Sequence, residues 1–194
     1  MIITIARQCG SGGHEVAQIL ADKLGLELFD KNRLLEEARK LGKEDEFSDF
    51  FNERPVNSLL YGIAMSFGNE KPMSKALDFI KEVTKDKNAV IIGRCANIIY
   101  KDNPEVMKVF LHGNEAWRVD YVAERDSVSR REALKNIKEV DEKRASFHKF
   151  CTGKEWEDAS QYQLSIDTGK LDISDAANMI INYINAKNIR QKHL

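Results

Sequence analysis

The sequence is poor in cysteine and proline. Its 194 residues include three cysteines, Cys9, Cys95 and Cys151. Because they lie far apart, they form neither the even set of a disulfide framework nor the C-x-x-C pair of a metal site. This usage predicts a protein of the reducing cytoplasm. No proline lies beyond residue 104, so long helices are allowed in the last 90 residues.

The sequence also lacks a dominant charge and a long apolar run. It has 30 Lys and Arg against 31 Asp and Glu, a net charge of −1. Without a positive field, a general nucleic-acid binder is disfavoured. The longest apolar runs, such as 89–92, are too short to span a bilayer, and we see no basic flank or cleavage site of a signal peptide. We therefore expect a cytoplasmic protein with no membrane partner; its oligomeric state is left open.

Hydrophobic periodicity predicts one α/β domain over 1–194. The predicted strands are 2–6, 26–29, 89–93, 106–112 and 162–166. The predicted helices are 14–24, 31–41, 73–85, 114–125, 129–150 and 173–186. The first strand, a glycine loop, a helix and a second strand make a βαβ unit, which predicts parallel pairing. We therefore predict a three-layer α/β/α sandwich around a five-stranded parallel sheet.

The densest motif is a glycine-rich loop between the first strand and the first helix. Glycines let a backbone approach a ligand, and their N–H groups with the helix N-terminus form an anion site. The loop lies at the carboxyl edge of the sheet, where open α/β sheets bind ligands. A plain glycine turn is the alternative, and we favour phosphate binding. The residues assigned to this phosphate site are Arg7, Gly10, Ser11, Gly12, Gly13 and His14.

The loop departs from the P-loop consensus G-x-x-x-x-G-K-[ST]. Aligned on Gly12, the chain has Gly13 in place of the lysine and His14 in place of the Ser/Thr. The lysine neutralises the β- and γ-phosphates and the hydroxyl binds Mg²⁺. Arg7, Arg94 and a basic arm are candidates for the missing cation. A protonated His14 is another, although we prefer to interpret it as a solvated histidine at a helix start.

Several arginines stand where phosphate chemistry would occur. Arg94 follows a buried strand at the same sheet edge as the loop, and we favour a site there over a surface arginine closing the strand. Arg118 and Arg125 lie seven residues apart on one helix face. Ordinary solvated pairing with Asp120 or Glu124 is their alternative.

The basic arm covers residues 118–154. It holds ten basic and seven acidic residues, a net charge of +3. Arg144 falls in the apolar stripe of the long helix, and a buried cation needs a partner. Asp141, three residues earlier, and a bound phosphate are the two candidates. An Asp141–Arg144 salt bridge on a solvated face is the alternative.

Asp30 ends the second strand, again on the ligand side of the sheet. Its candidate roles are to bind a nucleoside, to orient Arg33 or to act as a base. A helix N-cap for 31–41 is an equal alternative. Arg33 is a candidate for an acceptor phosphate. The four histidines show no metal-ligand spacing, so no protein-held metal is predicted.

Six motifs follow one another in a specific order and spacing. They are Gln8-Cys9-Gly10-Ser11-Gly12-Gly13, Phe29-Asp30-Lys31, Ile92-Gly93-Arg94-Cys95-Ala96-Asn97, Asp141-Glu142-Lys143-Arg144, Cys151-Thr152-Gly153-Lys154 and Leu164-Ser165-Ile166-Asp167-Thr168. In this order the chain resembles the cytidylate kinase-like proteins, a family of P-loop nucleoside-monophosphate kinases. The resemblance extends from residue 2 to about residue 184.

This resemblance implies a P-loop kinase fold with a helical monophosphate-binding region over 31–88 and a helical lid over 126–158. It also implies transfer of the γ-phosphoryl group of ATP to CMP or dCMP, with Mg²⁺. Catalytic roles are predicted for Arg94, Arg125, Asp141 and Arg144. Substrate contacts are predicted for Asp30, Arg33, Arg94 and Arg118. A kinase fold that binds nucleotide or phosphate with little or no transfer is the alternative, because the loop lacks its lysine and hydroxyl.

Overall fold

A computed structural model describes residues 1–53 and 72–191 of the chain. Its strands are β1 (Ile2–Arg7), β2 (Glu27–Phe29), β3 (Ala89–Ile92), β4 (Met107–His112) and β5 (Leu164–Asp167). They form one sheet in the order β2-β3-β1-β4-β5, and each neighbouring pair is parallel. The predicted five-stranded parallel sheet is confirmed. The carboxyl ends of its strands therefore meet at one edge, where the following loops gather.

Helices cover both faces of the sheet. In the described ranges they are α1 (Gly13–Leu24), α2 (Lys31–Lys40), α3 (Glu44–Phe51), α4 (Pro72–Val83), α5 (Ala96–Ile99), α6 (Glu115–Asp126), α7 (Arg130–Thr152) and α8 (Ile173–Gln191). On one face α1 and α8 pack on the strands, and on the other α2 to α5 do so. The predicted three-layer sandwich is confirmed. Part of the predicted monophosphate-binding region, residues 54–71, lies outside the described residues.

Buried aliphatic side chains hold α1 and α8 to the sheet. Ile5 of β1, Leu20 of α1 and Ile180 of α8 belong to one cluster and are at most 1% exposed. Full burial of each such side chain contributes roughly 1.5–3 kcal/mol. All four residues of β3 are buried, as expected for an inner strand of a parallel sheet. This packing fixes the glycine loop between β1 and α1.

An aromatic cluster on the opposite face joins the helices after β2 to the long helix α7. Phe47 and Phe51 of α3 pack on Phe79 of α4, with ring centroids 5.0 and 6.1 Å apart. Phe50 meets Phe147 of α7 edge-on at 5.4 Å. These contacts bring the end of α3 to the middle of the sheet edge.

Helix ends follow the predicted capping signals. The Asn114 side chain accepts a hydrogen bond from the Trp117 N–H at 2.8 Å, and Ser129 and Glu132 form the expected capping box at the start of α7. Each cap contributes about 1 kcal/mol. The last helix is longer than predicted, ending at Gln191 rather than at residue 186. Among the described residues, no helix is both long and apolar enough to cross a membrane.

Candidate active site

The glycine loop has a backbone that other residues could not easily adopt. Gly10 and Gly12 have φ angles of 78° and 67°, in the left-handed region that favours glycine. A Cβ atom at Gly10 would lie 2.8 Å from a Val122 methyl and 2.9 Å from the Arg118 carbonyl oxygen. The loop is therefore a close turn packed directly against α6.

The outer side of this loop faces a cleft of about 280 Å³. The cleft is lined by the loop, the start of α1 and four side chains from α6 and α7, namely Arg125, Asn136, Val140 and Arg144. The first N–H groups of a helix have no partner within the helix, so those of α1 are available to an anion in the cleft. His14 is exposed at the same place. The loop is thus open rather than filled by its own side chains.

Arg118 and Asp141 hold the loop from the inside. Arg118 donates to the carbonyl oxygens of Cys9 and Gly113 at 2.9 and 3.0 Å, and pairs with Asp141 at 2.5 Å. The other carboxylate oxygen of Asp141 accepts the Cys9 N–H at 2.6 Å. The expected alternatives, Arg118 with Asp120 or Glu124 and Asp141 with Arg144, are therefore wrong. The sequence could not show this, because α7 turns Asp141 towards α6 and the loop.

Arg7 occupies the space into which a side chain at position 13 would extend. Its aliphatic chain passes over Gly13, where a Cβ atom would lie 2.6 Å from the Arg7 Cγ. Its guanidinium passes over Gly93, where a Cβ atom would collide with Nη1. Burial, and then the charge of Arg144, lower the pKa of Arg7 to about 9, which still leaves it protonated at neutral pH. Gly13 and Gly93 are thus the residues that make room for this arginine.

Three guanidinium groups meet beside the loop. Arg94 is 6% exposed and donates from Nη1 to Glu53 Oε1. Arg144 donates from Nη1 to the Arg7 carbonyl oxygen at 3.2 Å, and its Nε lies 4.0 Å from Glu53 Oε2. Burial is the main cause that lowers the pKa of Arg94, and Glu53 opposes it. Arg7, Arg94, Arg144 and Glu53 are named the arginine cluster below.

The backbone that carries Arg94 is strained. Gly93, Arg94 and Cys95 have φ angles of 69°, 57° and 53° in succession. A non-glycine residue in this region costs on the order of 1–3 kcal/mol, and such strain gathers at functional sites. It ends β3 one residue earlier than predicted and turns Arg94 into the interior. The alternative of a surface arginine closing the strand is wrong.

Other predicted site residues lie outside the cluster. Asp30 accepts the Arg33 N–H at 2.9 Å, so the predicted N-cap role is confirmed. The Arg33 guanidinium pairs with Glu37 at 3.2 Å and with Glu27 at 3.7 Å. Because Glu27 begins β2, Arg33 is directed towards the amino end of that strand, away from the carboxyl edge of the sheet. Arg125 lines the cleft but pairs with its neighbour Asp126 at 2.7 Å.

Two polar residues that the sequence did not single out line the same interior as the cluster. His148 of α7 lies 3.4 Å from Asn97 of α5, and both are buried. Burial lowers the pKa of His148, which favours the neutral ring in the folded protein. The sequence analysis did not predict a role for Glu53 either. It lies just after α3, and no local sequence pattern indicates its distant partners Arg94 and Arg144.

The described residues do not offer a set of ligands for Mg²⁺. No three His, Cys, Asp or Glu side chains converge within the part of the chain that the structure describes. The loop hydroxyl, Ser11, donates to the Gln8 carbonyl oxygen at 2.8 Å. Asp141 is engaged with Arg118. Among the described residues, the arginines are therefore the groups that can neutralise negative charge at this site.

Relatives of the chain are named kinases. A cytidylate kinase of Archaeoglobus fulgidus is 28% identical over 98% of both chains, and one of Pyrobaculum islandicum is 26% identical over 95% of this chain and 92% of its own. A solved uncharacterised protein of Eubacterium ventriosum is 32% identical with a TM-score of 0.74, covering 95% of this chain and 98% of its own.

More distant solved structures share the fold. A shikimate kinase of Bacteroides thetaiotaomicron aligns with a TM-score of 0.55 at 18% identity, over 95% of this chain and 98% of its own. The sheet order and the glycine loop after β1 therefore belong to a P-loop kinase fold. The model of the cytidylate kinase-like family matches residues 2–170. The chain belongs to the cytidylate kinase-like family.

Proposed function

We propose that this protein is a nucleoside-monophosphate kinase that transfers the γ-phosphoryl group of ATP to CMP or dCMP. The observation that carries the proposal is the convergence of Arg7, Arg94 and Arg144 beside an open glycine loop. Phosphoryl transfer depends on positioning and on neutralising charge on the phosphoryl oxygens. Planar guanidinium groups hold such oxygens through paired hydrogen bonds. The archaeal relatives named cytidylate kinase support the choice of acceptor.

In the proposed reaction the donor phosphates lie on the glycine loop. Backbone N–H groups of Gly10, Gly12 and Gly13 hold their oxygens, and Arg7 supplies the charge of the absent lysine. An oxygen of the acceptor phosphate attacks the γ-phosphorus as the bond to the β-phosphate oxygen breaks, which yields ADP and a nucleoside diphosphate. Mg²⁺, when present, supplies further neutralisation through the nucleotide's own phosphates.

Arg94 is assigned to the acceptor phosphate, because it is buried at the strand end next to the loop. Arg144 brings charge from the proposed lid over 126–158, and Arg125 brings charge from the residue just before it. The proposed monophosphate-binding region over 31–88, with Asp30 directly before it, receives the nucleoside. Arg118 was predicted to contact substrate and Asp141 to be catalytic. We propose instead that both are positioning residues, because their hydrogen bonds go to the loop backbone.

A kinase fold that binds nucleotide without fast transfer is the second candidate. It is favoured by His14 at the position of the P-loop hydroxyl and by the engagement of Ser11 in the turn. The consensus Ser/Thr hydroxyl is absent and the Ser11 hydroxyl is used in the turn, so the loop lacks the usual protein ligand for Mg²⁺.

A coupled assay of ADP formation separates the two candidates. It uses ATP and Mg²⁺ with each of CMP, dCMP, UMP and AMP, and calorimetry of each nucleotide runs beside it. Turnover with CMP or dCMP above the other acceptors supports the first candidate. Binding without product selects the second, and turnover with UMP or AMP alone contradicts the cytidylate assignment. Absence of both binding and turnover contradicts both.

A further inference from the structure

The carboxylate of Glu53 is enclosed among the three guanidinium groups of the arginine cluster. Its side chain is 12% exposed, with Arg94 at 6% and Arg144 at 17%. One oxygen accepts from Arg94, and the other lies 4.0 Å from the Arg144 Nε. Glu53 thus joins three separate segments: the end of α3, the end of β3 and the middle of α7.

One carboxylate does not balance this cluster. Three guanidinium groups against one carboxylate leave two positive charges in a largely buried space among the described residues. Glu53 raises the pKa of both Arg7 and Arg94, yet burial and the charge of Arg144 outweigh it, and both pKa values stay below the ordinary value of arginine. Uncompensated buried charge is strongly unfavourable, so the cluster favours a more highly charged anion than Glu53.

The cluster also has donors without acceptors. The Nε atoms of Arg94 and Arg144 are buried and have no hydrogen-bond partner among the described residues. Both side chains line a small, partly open cavity of about 20 Å³ together with Arg7, Glu53 and Asn97. Buried donors are normally satisfied, and each exception asks for an explanation. A phosphate monoester dianion carries two charges and three acceptor oxygens, so in place of Glu53 it would reduce the excess from two positive charges to one and offer acceptors to the excess donors.

The backbone at Glu53 is held in an unfavourable conformation. Its φ angle is 49°, which places a non-glycine residue in the left-handed region directly after α3. Such a conformation is unfavourable for a residue other than glycine. The ion pair with Arg94 therefore helps to hold Glu53 in a conformation that its backbone disfavours.

We propose that Glu53 is an internal counter-ion that occupies the place of the acceptor phosphate, and that a phosphate monoester dianion displaces it. This inference rests on the proposed function, which assigns Arg94 to that phosphate. Because Glu53 competes with the ligand, it lowers phosphate affinity while it keeps the free protein stable. The chemistry selects a dianionic phosphate over a monoanionic diester, because a monoanion in place of Glu53 would leave the same two excess positive charges, whereas a dianion would leave one.

Titration calorimetry of Glu53→Gln with inorganic phosphate and with CMP tests this inference. Removal of the competing charge is expected to tighten phosphate binding by at least about tenfold, which corresponds to 1.4 kcal/mol. Glu44→Gln is the matched control: Glu44 belongs to the same α3 segment but pairs with the exposed Arg39 at 2.7 Å. Its phosphate affinity is expected to equal that of the unsubstituted protein. Equal or weaker binding by folded Glu53→Gln, or equal tightening by Glu44→Gln, overturns the inference.

A second variant covers the risk that Glu53→Gln leaves the arginines too poorly balanced to fold. Glu53→Asp keeps the charge but withdraws the carboxylate from Arg94. Phosphate binding is therefore expected to tighten, but by less than in Glu53→Gln. If Glu53→Gln is unfolded without phosphate, recovery of its folded circular dichroism on addition of phosphate supports the inference. Failure to recover, together with unchanged affinity of Glu53→Asp, overturns it. Tighter phosphate binding in a protein that never forms a nucleoside diphosphate contradicts the proposed function and leaves this inference intact.

Discussion

Glycine at position 13 is expected to be required because the Arg7 side chain packs directly against it. Gly13 is the first residue of α1, and a Cβ atom there would lie 2.6 Å from the Arg7 Cγ and 3.0 Å from its Cβ. Both atoms belong to the near end of the Arg7 side chain, which cannot move without displacing the guanidinium. The substitution Gly13→Ala is therefore expected to disturb Arg7 rather than the helix.

Two opposing effects set the size of the change. Alanine in place of glycine stabilises a helix by up to about 1 kcal/mol. Overpacking of this kind costs roughly 1–3 kcal/mol. The net expectation is a loss of up to about 2 kcal/mol, with a fall in Tm of roughly 2–4 °C for each kcal/mol. Phosphate binding is expected to weaken at the same time, because the Arg7 guanidinium leaves the cluster.

A double-mutant cycle with Arg7→Ala isolates this contact. Arg7→Ala removes Cγ and leaves only the 3.0 Å contact, so Gly13→Ala in that background is expected to be neutral or stabilising. Denaturant unfolding of the four proteins should give a coupling energy of at least about 1 kcal/mol. Gly25→Ala, which meets no atom within 4 Å, is the control and should show no coupling to Arg7. Additive effects of Gly13→Ala and Arg7→Ala would contradict a steric contact between position 13 and the Arg7 side chain.

The same geometry predicts the outcome of restoring the consensus lysine. Gly13→Lys places the same Cβ atom against Arg7, so it is expected to lower phosphate affinity and not to raise kinase activity. A gain of ADP formation in the coupled assay would mean that the loop lacks its cation and that Arg7 does not replace it.

Three further predictions concern the supports of the site. Asp141→Asn leaves Arg118 without its counter-charge and is expected to lower the free energy of unfolding by about 3–5 kcal/mol. The control Asp120→Asn, at an exposed ion pair, should lower it by less than about 1 kcal/mol. Equal losses in the two variants would contradict the role assigned to Asp141. Phe50→Ala removes the ring contact with α7 and is expected to cost about 3–5 kcal/mol in the same assay, whereas a loss below 1 kcal/mol would contradict the packing. Burial lowers the pKa of His148 from its ordinary 6.5, so the unfolded chain takes up a proton more readily than the folded protein. The stability that the neutral His148 ring contributes is therefore complete above pH 6.5 and is lost as the pH falls below that value. The drop in unfolding free energy between about pH 7.5 and about pH 5.5 should be smaller in His148→Gln, and an equal drop would contradict this.

Local patterns predicted the elements that carry the site. The apolar run, the glycine loop and the amphipathic helix at the start of the chain are adjacent in sequence, so the βαβ unit could be predicted from them. The caps at Asn114 and Ser129 are local hydrogen bonds and were predicted for the same reason. The place of Arg94 at the carboxyl edge followed from the strand before it.

Partners that are distant in sequence could not be predicted. The pattern marked Arg144 as a buried cation in need of a partner and offered Asp141, three residues earlier on the helix. The structure gives Asp141 to Arg118 and places Arg144 beside Glu53, because the choice depends on how α7 is rotated against α6 and α3. The role of Gly13 could not be predicted for the same reason. In the sequence, glycine in place of the consensus lysine indicated a missing cation, whereas in the structure the absence of a side chain at position 13 leaves room for Arg7.

The proposed transfer depends above all on the Arg94 guanidinium, which holds the acceptor phosphate during the reaction. The most direct test is the kcat/KM for CMP in the coupled assay, measured for the unsubstituted protein and for Arg94→Lys, which keeps the charge but loses the planar fork. We expect CMP-dependent turnover by the unsubstituted protein and a loss of at least about 100-fold in Arg94→Lys, with KM for ATP little changed. An Arg94→Lys variant with undiminished kcat/KM for CMP would contradict this role of Arg94.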